Sequence, residues 1–176
     1  MHRAILTLTP LLLLGLGGCA SGGPVFENGE IVPERDPDES WDGDLSDGTV
    51  IDINWASSGG FGCWAGTEDV NFDGAHVIYE RAQPEDVDAW VRVIPDSSVD
   101  VSLYALQAGT SGTELPPELN SAVSCETSAD RETDSNPGVS EAIKITGYNP
   151  YRLIIGVAGA NEAIAGAFTV ELWLGE

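Results

Sequence analysis

From Val99 to Leu106 the chain changes character at every residue. Val99, Val101, Leu103 and Ala105 fall on one side, and Asp100, Ser102, Tyr104 and Leu106 on the other. The same alternation returns near the end, with Phe168, Val170, Leu172 and Leu174 set against Thr169, Glu171 and Trp173. A period of two is what a strand imposes, because successive side chains point to opposite faces of a pleated backbone. No 3.6-residue stripe persists between residues 48 and 176, so helical layers are excluded as the main scaffold. Short β-rich runs separated by Gly, Pro, Asp and Ser clusters predict strands at 48–55, 76–82, 88–95, 99–107, 140–147, 151–158 and 166–174. Shorter pieces are expected near Cys63 and Cys125. Leu153-Ile154-Ile155 is apolar on both faces, which places its strand in mid-sheet. Residues 108–139, rich in Gly, Pro, Ser and acids, form a long excursion. Sheets with one apolar face each must bury it, so the expected fold is all-β: a two-sheet antiparallel, jelly-roll-like β-sandwich of about eight strands.

Upstream of that domain the chain has another purpose. A basic tip, Met1-His2-Arg3, precedes an apolar run from Ala4 to Leu16 that Thr7, Thr9 and Pro10 interrupt. The run is too short and broken to span the ~30 Å hydrocarbon core, and it matches an export signal. It ends in Leu16-Gly17-Gly18-Cys19, where two residues without side chains let the backbone lie extended and a thiol follows. Residues 1–20 resemble the leader of bacterial lipoproteins. The resemblance implies cleavage of the signal peptide 1–18, diacylglycerol on Cys19 and anchoring to a membrane by acyl chains, each worth ~0.8 kcal/mol per buried CH₂. Ala20, rather than Asp, follows the Cys, which by the familiar sorting rule implies an outer-membrane destination.

Loss of 1–18 removes Arg3 and no acid, taking the formal charge from −22 to −23. Such a balance argues against nucleic acid as a partner, since affinity there comes from Lys and Arg neutralising phosphates. Residues 19–47 carry nine acids and one Arg among Gly, Pro and Ser, with Trp41 as the one large aromatic beyond Phe26. Too little apolar surface is present to offset the entropy of ordering, so this stretch reads as a disordered acidic tether before a domain at 48–176.

With Cys19 carrying lipid, Cys63 and Cys125 remain as an even pair in an oxidising compartment. Their disulfide closes a loop of roughly 60 residues, worth about 4 kcal/mol by chain entropy. The rival reading pairs Cys63 as a nucleophile with His76, the sole His after processing.

Phe72-Asp73-Gly74-Ala75-His76-Val77-Ile78-Tyr79, the strand from Val99, the Cys125 segment and the closing runs from Tyr151 and Gly166 together look like the pre-peptidase C-terminal (PPC-like) domains appended to bacterial secreted proteins. The resemblance implies a sandwich that acts as an accessory module. Those domains usually flank an enzyme, and no such neighbour is visible in this chain.

The sharpest local motif is Asp69-x-Asn71-x-Asp73-Gly74 with Glu80 following, which satisfies the oxygen-ligand spacing of a calcium loop. A strand at 76–82 would carry Glu80 about 20 Å past Gly74, too far to close the loop. A non-helical calcium site at Asp69, Asn71 and Asp73 stays open, beside a plain turn whose Asp and Asn cap their own backbone. Asp130, Glu132 and Asp134 alternate in a loop and read as solvated charge. Trp90, Tyr104 and Trp173 point away from the assigned core; on neighbouring strands they would make a platform for a glycan, unless loops cover them. No Gly-x-Ser-x-Gly elbow is present, and a Ser–His–acid triad would have to use His76. The expected function is therefore a membrane-anchored envelope lipoprotein with a non-catalytic binding domain, its partner a protein, a glycan or calcium.

Overall fold

The computed structural model describes residues 25–27, 30–58, 62–128 and 137–175. The first 24 residues, with the leader and Cys19, lie outside the described residues, as do Asp130, Glu132 and Asp134.

Nine strands form two antiparallel sheets. In chain order they are β3 (Glu39–Asp44), β4 (Thr49–Val50), β5 (Ala75–Gln83), β6 (Val87–Pro95), β7 (Ser102–Ala108), β8 (Ser124–Ser128), β9 (Glu141–Gly147), β10 (Tyr151–Ala158) and β11 (Ala167–Leu174). A small hairpin, β1 (Val25–Glu27) and β2 (Glu30–Val32), precedes them. One sheet runs β4-β5-β10-β7-β8 and the other β3-β11-β6-β9. Without the two-residue β4, first pairs with last, second with second-last, and so on inward, as in a ribbon folded back and rolled into two layers. That is the jelly-roll order.

The core follows from the alternation. Val91, Val93, Leu103, Leu153, Ile155, Val170 and Leu172 meet between the sheets, all at most 1% exposed. Each such aliphatic contributes about 1.5–3 kcal/mol by leaving water. β10 is buried on both faces and sits at the centre of the five-stranded sheet, as its doubly apolar sequence requires. Its outer face, with that of β7, supports a second cluster of Tyr104, Leu106 and Ile154 with Trp64 and Phe72. Gly156 makes room there: it pairs with Tyr104, whose ring lies directly over it.

Two segments depart from the sequence reading. Only Thr49–Val50 of the strand expected at 48–55 is extended. Asp52 accepts the Asn54 amide at 2.9 Å, and the chain turns into a short helix, α1 (Trp55–Ser58). A side-chain bond of this kind offers the backbone an alternative to the sheet ladder. The second departure corrects the tether. Residues 39–44 form β3, the edge of the four-stranded sheet, paired from Glu39↔Leu172 to Asp44↔Ala167. Trp41 turns inward and stacks on Tyr79, ring centroids 5.6 Å apart. The folded unit thus begins upstream of residue 48, because ladder hydrogen bonds to β11 and one aromatic anchor stand in for an apolar composition.

Candidate functional site

The outer face of the four-stranded sheet carries two tryptophans side by side, Trp90 on β6 in register with Trp173 on β11. They do point away from the inter-sheet core, as expected, yet they are 9% and 2% exposed. Residues 32–38 cross over them as a strap. Val32 is buried in one cluster with the two tryptophans, and Trp173 Nε1 donates to the Arg35 carbonyl at 2.7 Å. The strap is fastened to β11 from both sides: Asp38 N donates to Leu172 O at 2.8 Å, and Leu174 N donates to the Asp38 carboxylate at 2.7 Å. Arg35 closes the clasp through Asp38 and the Leu174 carbonyl, and it holds the Asp38 carboxyl below its ordinary range. Arg92 lies over Trp173 at 5.3 Å and Lys144 over Trp90 at 4.6 Å, each also paired with an acid, Glu171 and Asp88.

A glycan platform of Trp90, Tyr104 and Trp173 is therefore overturned. Tyr104 belongs to the other sheet and is fully buried, and the two tryptophans are covered. The covering segment lies more than 50 positions from Trp90 in sequence, beyond the reach of any local pattern.

His76 is buried beneath the cover of the five-stranded sheet. Its Nε2 lies 2.8 Å from the Phe72 carbonyl, which can only accept, so Nε2 carries the proton and Nδ1 accepts from the Tyr104 hydroxyl at 3.1 Å. Both ring nitrogens are satisfied by the neutral form, and burial pushes the pKa down. Burial likewise pushes the Tyr104 phenol up. Cys63 cannot serve as a nucleophile beside His76, because it is joined to Cys125 in the expected disulfide, Cα–Cα 5.3 Å. That bond fixes the cover, residues 51–58 and 62–72, to the edge strand β8.

Asp69, Asn71 and Asp73 lie on and just past a 3₁₀ helix, Gly66–Phe72, instead of a loop. Asp69 spends both oxygens on the protein, accepting from Ser57 Oγ at 2.9 Å and Trp64 Nε1 at 2.7 Å. Asn71 is buried, and Glu80 faces Arg152 from β5. The structure therefore does not assemble these residues as a calcium loop. Among the described residues no three His, Cys, Asp or Glu side chains lie together as a metal site.

Two shallow depressions open on the surface. One of about 220 Å³ lies at the end of the sandwich by Asp86, Asp88, Thr146 and Tyr148. The other, of about 240 Å³, lies beside the cover between residues 50–54 and Phe72-Asp73. Tyr148, 79% exposed, was not singled out by the sequence, nor was Arg152, whose guanidinium donates to the carbonyls of Gly112 and Glu114 and pins the 108–123 excursion. A lone Arg in an apolar strand was the available signal, since a buried cation requires partners. No described helix is long and apolar enough to cross a membrane. No protein-family model matches the chain, and no curated protein matches it.

Proposed function

We propose that this chain is an envelope lipoprotein. Cys19 carries the lipid, residues 1–18 are removed, and the sandwich is held at a membrane as a non-catalytic interaction module. The destination proposed is the outer membrane, on its periplasmic face or at the cell surface. The carrying observation is the Leu16-Gly17-Gly18-Cys19 motif behind a basic, apolar leader. Support comes from the other two cysteines, which are already joined to each other and leave Cys19 as the one thiol free for attachment. A two-sheet jelly-roll sandwich is also the architecture an accessory module of the PPC-like kind would need.

Mass spectrometry of the product from the native host tests the anchor. The expected species starts at Cys19 with diacylglycerol and an acylated amino group, and Cys19→Ser leaves the protein unlipidated and lost from the membrane fraction. A bare thiol, or residues 1–18 still attached, overturns it. For the module, the mature chain immobilised through its lipid should retain a protein from native envelope extract, and loss of that retention on unfolding is the required control.

A further inference from the structure

We infer that the strap side of the four-stranded sheet faces the bilayer and the cover of the five-stranded sheet faces away; this rests on the lipid at Cys19. The first ground is chain length. From Cys19 to Val32, which is buried on Trp90, there are thirteen steps, at most about 45 Å when fully extended. The β1–β2 hairpin folds part of that length back, with Val25 opposite Val32. Cys19 to Val25 is six steps, no more than ~20 Å. A domain of this size is about 40 Å across. A leash shorter than the body it holds cannot bring the far side to the membrane.

The second ground is charge. Arg35, Arg92 and Lys144, three of the basic side chains, lie on the strap side, each joined to an acid: Asp38 at 2.8 Å, Glu171 at 2.6 Å and Asp88 at 2.7 Å. Glu34 and Asp36 on the strap and Asp42 and Asp44 on β3 lie on the same side, so this face is acidic as well, but it carries three bases. The cover side and its flanks carry Asp52, Glu68, Asp69, Asp73, Glu114 and Glu118. The base on that outer face, Arg152, is turned into the protein and is only 7% exposed. Anionic lipid repels unopposed carboxylates within a Debye length, about 8 Å at physiological salt. The leash and the bases on the strap side thus favour the same orientation, which turns the cover and the depression beside it away from the membrane.

The test is paramagnetic broadening of backbone amide signals in the natively lipidated chain. The protein sits on nanodiscs of phosphatidylcholine and phosphatidylglycerol carrying gadolinium-chelating headgroups. Signals of Trp90 and Ala142 to Thr146 should be lost, while those of Asn54, Glu68, Asp73 and Ala122 persist. Inserting about twenty Gly/Ser residues between Pro24 and Val25 adds ~25 Å of reach and should erase the contrast. Equal broadening on both sides without the insertion, or stronger broadening on the cover, overturns the orientation while the protein stays on the disc. A contrast that survives the insertion overturns the leash as its cause. Protein that never associates with the disc overturns the lipid anchor, and the orientation with it.

Discussion

The Tyr104 hydroxyl donates to His76 Nδ1 across 3.1 Å, joining β7 to β5 beneath the cover. The opposite nitrogen of the same ring donates to Phe72, the last residue of the cover's 3₁₀ helix. One neutral imidazole therefore ties the cover to the sheet.

Acid should loosen that tie. The folded His76 pKa lies below its ordinary value of 6.5 because burial disfavours the cation. Below pH 6.5 the unfolded chain binds a proton that the folded chain does not, so this contribution to stability is complete above 6.5. It declines as pH falls toward the folded pKa. Relief of charge repulsion in so acidic a chain acts in the opposite sense, so the comparison must be with a variant. His76→Gln should be less stable at pH 7.5, and the gap to the parent should narrow by pH 5.5. Thermal melts at both values check this; a constant gap would contradict it.

The Cys63–Cys125 bond spans a sequence separation of 62 and carries no chemistry beyond holding the cover to β8. By chain entropy its loss costs about 4 kcal/mol. Denaturant unfolding of the double variant Cys63→Ser/Cys125→Ser should show a midpoint lowered accordingly, with hydrogen exchange faster in residues 62–72 than in β10.

Trp173→Phe retains most of the buried ring and removes the bond to the Arg35 carbonyl. An orphaned buried carbonyl and a lost hydrogen bond together cost about 1–3 kcal/mol. The strap should open before the sandwich does, so limited proteolysis should cut near Arg35 at a rate well above the parent's while the remaining domain stays intact.

Asp69→Asn separates the structural reading of that carboxylate from a calcium site. The bonds from Ser57 and Trp64 are charge-assisted, and weakening them should cost about 1–2 kcal/mol. Calcium should change the melting temperature of neither protein, and calorimetric titration of the parent should give no binding heat. A calcium-dependent rise in the parent alone would restore the ligand set.

How far the fold is legible depends on the element. β10 was readable because Leu153, Ile154 and Ile155 are apolar on successive positions in a short β-branched run between turn residues, as in a strand covered on both faces. β3 was not, because Glu39, Asp42 and Asp44 mask a strand that one inward aromatic and a hydrogen-bonded neighbour hold in place. The stretch after Val50 was misjudged because its apolar spacing fits a strand, whereas Asp52 bonds its own backbone and the side chains turn to the second cluster. Among the site candidates, the disulfide was expected once Cys19 is read as lipidated, while the aromatic platform failed on what lies above it.

By itself the sequence determined the strand period and the inward faces of β7 and β11. These are local properties, because a pleat has period two. Only the tertiary structure decided that the outward aromatics are roofed, by residues 51–58 and 62–72 on one sheet and by the strap at 32–38 on the other. Which remote segment lands on a given face is settled by hydrogen bonds such as Trp173 to Arg35, made between residues 138 positions apart, and no local pattern encodes such a distance.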